Sequence, residues 1–533
     1  MKTKFFNKIA VIGCCLLAMG ITSCNDYLEI YPENVQPTDK YWSSKEEVDA
    51  TLSSGYYYLR EAVESHLIPW GELRAGCVTS RGKSVLQNFE MKPTEKILSK
   101  WASMYKIINS ANLVLKNAGK ALDNDDTYTE SLMNSHHCEA LWLRSLAYFY
   151  IVRNWRDAPL ITEPFETDEL TFNVAKSSEA EIIAQIKADL NRAITLDAAK
   201  EKFNTTWETK GRATKWAILA LMTDVCLWNH DYDEAIQYAD QILNSTSVSA
   251  PRFLTSNSRT NWFSMFNPGN SNESIFEVQW AYEKLSSGSP QTNTLTTSFD
   301  PAKTGYKYLY SAAMLDEFKN EIRDLRTKFG TTITTDNYTR SMYAGIQTND
   351  ANVDNFENAT AGYVWKYYGG TSFNTQRSGV QDDDCNFIIY RVTDIMLLKA
   401  EALVMRSMGA NASDNQAAID IINKIRARAN LDATTTVTAS SSVSDLLVKG
   451  VLHERLIELA GEAKAWYDML RIGRYTDPNG QIDFKTLFIN TVTTYNKASS
   501  VRSVLSNVNA WYLPINSSEI STNEKLEQNP YYM

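Results

Sequence analysis

Apolar residues recur at three- and four-residue intervals along two stretches of the chain, 45–245 and 387–475, and lose that rhythm between them. The periodicity predicts helices over Glu46–Val63, Lys96–Ala118, His137–Arg153, Ser178–Leu196, Arg212–Asn229, Tyr232–Leu243, Val392–Met405, Asn415–Ala429 and Val443–Ile472, the last broken near Gly461. The intervening residues 246–386 are rich in Asn, Ser, Thr and Gly, and aromatics are denser there than the 11% of the whole chain. Ser274–Trp280 alternates, with Phe276, Val278 and Trp280 on one face and Glu277 and Gln279 on the other, which predicts a half-buried strand. Tyr363–Tyr368, flanked by Gly362 and Gly369-Gly370, predicts a second strand. The region is too aromatic to be disordered and too broken for regular helices. It reads as a loop-rich layer packed on a helical scaffold, in a mainly α chain.

Several helices come as pairs joined by short turns. In Thr214–Leu243 the small residues Ala217, Ala220, Ala235 and Ala239 let two antiparallel helices approach closely. That rhythm is similar to a degenerate tetratricopeptide repeat of about 34 residues. Four such pairs are expected, near residues 139–197, 212–243, 391–429 and 444–473, with a plain all-α fold as the alternative.

The N-terminus supplies an address. Lys2, Lys4 and Lys8 precede an apolar stretch, Ile9–Met19, and then Ile21-Thr22-Ser23-Cys24. This is the pattern of an export signal over residues 1–23, and its apolar part is too short for a bilayer core of about 30 Å. Small residues before a cysteine fit a bacterial lipoprotein box. Cleavage there leaves Cys24 as an acylated N-terminus, with residues 24–44 as a tether and residues 45–533 as one domain. Loss of Lys2, Lys4 and Lys8 takes the formal charge from −10 to −13. An acidic exported chain excludes nucleic acid as a partner by bulk electrostatics and suits a neutral ligand. Cys77, Cys138, Cys226 and Cys385 show no metal-ligand spacing. Export permits one disulfide among them, although Cys138 and Cys226 read as buried small hydrophobes.

Candidate chemistry is sparse. Glu454, Glu458 and Glu462 recur every four residues, and with Arg455, Arg471 and Arg474 nearby they read as an intrahelical ion-pair network rather than an acid–base pair. His453-Glu454 is no zinc-protease motif, because position 457 is Ile. Asp382-Asp383-Asp384 lacks the spaced ligands of a calcium loop. Five histidines, none in a paired motif, argue against hydrolysis. The expectation is binding without catalysis, and without a cofactor or metal.

An ordered series of short motifs then narrows the class. It runs from Cys24-Asn25-Asp26-Tyr27-Leu28 through Tyr41-Trp42, Tyr105–Asn112 with its two asparagines, Glu139–Phe149 and Asp157-Ala158-Pro159-Leu160. It continues with Glu273–Val278, Tyr390–Leu397, the set Glu454-Arg455, Glu458, Glu462, Trp466, Asp468 and Arg471, and the tail Leu513-Pro514-Ile515, Glu519, Gln528-Asn529-Pro530-Tyr531. Ser145 and Thr393 stand where alanine is usual. End to end, the chain resembles the SusD/RagB family of outer-membrane nutrient-binding lipoproteins of the Bacteroidota. The resemblance implies a SusD-like fold and a surface protein that captures a nutrient, most often an oligosaccharide. It also implies a partner, a SusC-like TonB-dependent barrel in the outer membrane, on which the protein sits as a lid. The acidic residues beside Cys24 fit export to the cell surface.

Sugars stack on aromatic rings through their axial C–H groups while hydroxyls reach polar side chains. The candidate ligand residues are therefore Trp70 with Arg74, Arg81 and Glu72 from one stretch; Trp280 and Tyr282 at the end of the strand; Tyr306 before Tyr308 and Tyr310; and Trp365 and Tyr367. No motif of the family carries these positions over residue by residue. Trp101, Trp142, Trp216 and Trp466 lie within helical patterns and read as core. Oligopeptide capture by the same mechanism, or a scaffold that binds proteins alone, are the competing expectations.

Overall fold

A computed structural model describes residues 41–166, 173–255, 263–280, 298–299, 307–318, 320, 364–368 and 385–533, with the backbone alone for Trp365 and Tyr368. Cys24, the signal and tether segments, Tyr282, Tyr306 and Asp382–Asp384 lie outside these residues. The architecture is mainly helical. Helices α1 (Lys45–Ala62), α2 (Ala102–Asn124), α3 (Glu130–Trp155) and α4 (Glu179–Leu196) each pack on the next. After the short α5 (Thr206–Gly211), the series continues through α6 (Lys215–Trp228) and α7 (Tyr232–Leu243). Helix α7 then packs directly on α9 (Val392–Arg406), and α9 on α10 (Ala412–Arg428). The array is thus unbroken in space although residues 244–391 interrupt it in sequence. Three of the four expected pairs hold two helices packed together. The fourth, near 444–473, is one irregular helical run ending in Glu458, a turn, and a helix over Ala465–Arg474.

Local chemistry explains where the helices begin. Ser44 with Glu47, Ser178 with Glu181, and Thr205 with Glu208 form reciprocal capping boxes at α1, α4 and α5. Helix α3 is buried on every side from Ser135 to Trp155 and forms the centre of the array. Two of its buried charges pair with neighbouring elements. The Arg144 guanidinium donates twice to Asp189, at 2.7 and 2.8 Å, and Glu139 accepts from Arg212 at 2.9 Å. Trp142, as expected, is core, its indole donating to the Ala217 carbonyl at 3.0 Å. Trp101, Trp216 and Trp466 are buried too.

The inserted region is anchored by a two-stranded antiparallel pair. Strand β4 (Ser274–Val278) lies against β6 (Phe387–Arg391), with Ser274 opposite Arg391 and Val278 opposite Phe387. The alternation predicted one solvated face, but both faces are buried, and Glu277 accepts from Asn270 and Asn386 instead of water. A second ribbon pairs β1 (Val78–Ser80) with β5 (Tyr308–Tyr310), and a third, two residues long, pairs β2 (Ala158–Pro159) with β3 (Lys176–Ser177). Residues 365–368, predicted as strand, form one helical turn, α8 (Trp365–Tyr368). The four cysteines beyond the N-terminal region are buried and free, so no disulfide joins them.

The carboxylates expected to pair within their own helix pair across elements instead. The helix ends at Glu458, and Gly461 (φ +78°) and Ala463 (φ +58°) turn the chain before Ala465. Arg391 reaches Glu273 at 3.1 Å, Glu458 at 3.0 Å and Glu462 at 3.0 Å. Arg428 reaches Glu273 at 2.7 Å and also bonds Glu458. Lys366 reaches Glu462 at 2.7 Å. These three acids and three bases are all buried. Burial opposes ionisation of Glu273, yet Arg428 and Arg391 hold its carboxyl below the usual range. Arg455 belongs to a neighbouring set, pairing with Asp394 at 2.8 Å and Asp468 at 2.9 Å.

Replacing Arg391 by Met leaves the Glu273, Glu458 and Glu462 carboxylates short of one buried cation. The expected loss is about 3–5 kcal/mol of unfolding free energy, measured by chemical denaturation of residues 25–533. A loss under about 1 kcal/mol contradicts the network's role.

Candidate functional site

The residues between α1 and β1 were expected to present Trp70 and Arg74 to a ligand. They do not. Two wide helical turns, Val63–Leu67 and Pro69–Leu73, carry the chain into the core. Trp70 is fully buried, its indole donates to the Leu98 carbonyl at 3.0 Å, and it packs edge-on against Trp155 at 5.3 Å. The Arg74 guanidinium lies 4.0 Å from the Trp466 ring and donates to the Trp511 carbonyl. Burial lowers its pKa to about 10. Gly71 explains the close fit, since a Cβ there would meet the Ala463 carbonyl oxygen at 2.2 Å. Glu72 accepts from the Lys464 backbone, and burial pushes its carboxyl up to about 8.

Trp280 and Tyr367 are corrected in the same way. The Trp280 ring is buried and its indole donates to Glu64 at 3.3 Å. Tyr367 donates its hydroxyl to the Gly461 carbonyl, and its ring stacks on Phe299 (5.0 Å) and Phe387 (6.1 Å). In each case the polar edge is satisfied inside the protein and the ring faces are covered, so no face is left for a sugar. Trp365 enters α8 by its backbone alone.

Arg81 is different. It is exposed, directly after β1, and its backbone N–H donates to the Lys307 carbonyl at 2.9 Å. The ribbon thus places Arg81 beside Lys307, the residue that follows Tyr306 in the chain. Opposite Ser80 stands Tyr308, half-buried, its ring 5.6 Å from Phe299. Burial raises the Tyr308 hydroxyl to about 12, so it stays a donor at neutral pH. Gly82 has open space around it, and Lys83 pairs with Glu90 at 2.8 Å. Gln87 bonds the Thr79 hydroxyl at 3.3 Å and steadies the ribbon's exposed end. This end, from Ser80 to Lys83 with Lys307 and Tyr308, is the candidate site.

No other cluster among the described residues offers a better catalytic case. Glu458 and Glu462 are committed to buried ion pairs. Cys226, Asp231 and Glu234 lie close enough to hold a cation, but the Lys187 ammonium already sits 2.7 Å from both carboxylates. A cavity of about 520 Å³ between α1, α2 and the C-terminal tail is lined by Tyr58, Tyr105, Phe165 and Leu526. Two of its polar groups are spent internally: Asn109 accepts from the Phe165 backbone at 2.8 Å, and Tyr105 donates to the Pro159 carbonyl at 2.7 Å.

Known proteins give this architecture a class. A profile of the SusD family matches residues 272–532, and one described as starch-binding associating with the outer membrane matches residues 26–227. A SusD-like protein of Formosa agariphila is 25% identical over 519 residues, covering 90% of this chain and 94% of the relative. A SusD superfamily structure from Bacteroides vulgatus superposes with a TM-score of 0.68 at 22% identity, over 92% of this chain and 99% of that one. A laminarin-binding SusD-like protein superposes with a TM-score of 0.64 at 23% identity, over 92% and 100%. The chain therefore belongs to the SusD/RagB family, a family of glycan-binding proteins, and shares its mainly α fold.

The buried Glu72 has a measurable signature. Its folded pKa of about 8 lies above the ordinary 4.5, so the folded protein keeps a proton that the unfolded chain releases. Stability supplied by that proton is full below pH 4.5 and is lost as pH rises through 8. Glu72→Gln is neutral throughout. The variant should gain on the wild type between pH 4.5 and 8 by on the order of 3–5 kcal/mol in denaturation experiments. Parallel stability curves for the two proteins contradict a buried, protonated Glu72.

Proposed function

We propose that this protein is a cell-surface nutrient-binding lipoprotein, anchored in the outer membrane through acylated Cys24. It captures an oligosaccharide and passes it to a SusC-like TonB-dependent transporter, and it is not an enzyme. Family membership carries the reading, because a profile named for starch binding at the outer membrane spans residues 26–227, including β1 and Arg81. No helix among the described residues is long and apolar enough to cross a membrane, which accords with a lipid anchor. The helical array supplies the broad surface that a barrel partner needs.

The site is assigned to the exposed end of the β1–β5 ribbon. Arg81 would donate to sugar hydroxyls, and Tyr282, Tyr306 and Trp365 stand as the candidate ring platforms. Two ring platforms with a few hydrogen bonds place affinity between about millimolar and micromolar, about −4 to −8 kcal/mol, weak enough for release to a transporter. Oligopeptide capture is the second reading. The basic turn Arg81-Gly82-Lys83 favours it, since a guanidinium also suits a peptide carboxylate.

Calorimetric titration of residues 25–533 separates the two. Laminarihexaose, maltoheptaose, xylan and mannan oligosaccharides are the sugar probes, and a mixed tetra- to hexapeptide library is the other. Saturable binding to one sugar class is expected, weakened about tenfold or more in Arg81→Ala through loss of a charged hydrogen bond. Saturation by peptides with no heat from any sugar overturns glycan capture. A Cys24→Ala protein expressed in its own host should leave the membrane fraction, and its retention there contradicts the lipid anchor.

A further inference from the structure

Aromatic side chains among the described residues are mostly buried or half-buried, but two break the pattern together. Among the described residues, Tyr57 (48% exposed) and Trp207 (57% exposed) are the aromatic rings most open to solvent. They are 150 positions apart in the chain, yet both line one groove of about 350 Å³ between α1, α5 and the end of β4. Scattered exposed rings are ordinary on a surface. Two meeting across one concavity are not.

We propose that this groove is a second saccharide-binding site, separate from the ribbon end, with Tyr57 and Trp207 as its stacking platforms. The walls are rigid. The Thr205–Glu208 capping box fixes the start of the helix that carries Trp207. Gln279, on the floor, donates to Asn270 at 2.8 Å and accepts from Asn386 at 3.1 Å. Gly211 lets Gln279 come close, because a Cβ there would sit 2.6 Å from the Gln279 Cγ. Arg212 is locked between Asp49 (2.8 Å) and Glu139 (2.9 Å).

The chemistry selects the ligand class. The charged side chains that line the groove balance formally, Asp49 and Glu208 against Arg60 and Arg212. A charged peptide terminus or an anion therefore gains no net attraction. Planar carboxylate, guanidinium and amide edges beside two open rings match the hydroxyl rim and flat C–H face of a neutral pyranose. The Arg60 guanidinium, 5.3 Å from the Tyr57 ring, and the Glu61 carboxylate bonded to its hydroxyl hold that ring in place. A second site would let one protein grip a long glycan at two points, raising its retention without tightening either site. The inference takes its ligand class from the proposed function but rests on a different surface.

The test titrates the wild type, Arg81→Ala and the double variant Tyr57→Ala/Trp207→Ala with the same neutral oligosaccharides. The two replaced rings are exposed, so the double variant should keep the wild-type thermal midpoint. Two classes of site are expected in the wild type, with one weakened at least tenfold in the double variant and the other weakened in Arg81→Ala. Trp207→Phe, which keeps a ring, should restore most of the lost affinity when Tyr57 is intact. A double variant that binds every sugar as the wild type does overturns the groove and leaves glycan capture standing. A double variant that keeps all sugar binding but loses the barrel partner overturns it too, and makes the groove a protein contact. A wild type that binds none of these sugars overturns both readings.

Discussion

Six buried charges hold this molecule to one shape. Glu273, Glu458 and Glu462 meet Arg391, Arg428 and Lys366 without water, each acid touched by at least one base. Removing such ions from water costs several kcal/mol apiece, and complete pairing recovers that cost only in one geometry. What the network joins is therefore significant. Glu273 precedes β4, Arg391 ends β6, Lys366 lies on the turn of helix within the insertion, Arg428 and Glu458 belong to the later helices, and Glu462 lies in the turn that follows Glu458. The insertion's entry and exit strands and one of its internal turns are locked to the scaffold at a single point. Helix α7 can then pack on α9 as though nothing intervened.

Function follows from that division. Many buried aromatics satisfy their polar edges internally, as Trp70, Trp142, Trp280 and Tyr367 show, while Tyr57 on α1 and Trp207 on α5 stay exposed. The inserted layer springs from a fixed base and delivers the strand that ends beside Arg81. On the proposed function, ligand contacts can vary in the loops without disturbing the array, and the array stays free for the proposed transporter partner. A family that serves many glycans with one fold needs this separation.

The helical half was largely legible from periodicity, because the 3.6-residue rhythm survives in the helices that keep a solvent face, while α3, α6 and α9 are buried nearly all round and their patterns are close to continuous. The Gly461 break, the β4 strand and the core tryptophans were legible as well. The ligand residues were not. A tryptophan after Pro69 and before Gly71 looks like a loop residue, but only the tertiary packing of Ala463 against Gly71 reveals it as core. The glutamates at 454, 458 and 462 have helical spacing, yet their partners come from positions 30 to 100 residues away, which spacing cannot disclose. Residues 365–368 alternate poorly as a strand because Lys366 is needed inward, on Glu462. Trp207 was passed over, although every other residue of Asn204–Lys210 around it is polar. That was a usable signal of exposure.

Sugar bound at the exposed end of the β1–β5 ribbon should protect that end and leave the charged core unchanged. Hydrogen–deuterium exchange of residues 25–533, with and without a saturating oligosaccharide, reads both at once. Slowed exchange is expected over residues 78–90 and 307–310, with no change over 453–474. Saturation that leaves 78–90 and 307–310 exchanging as in the free protein would contradict binding at the ribbon.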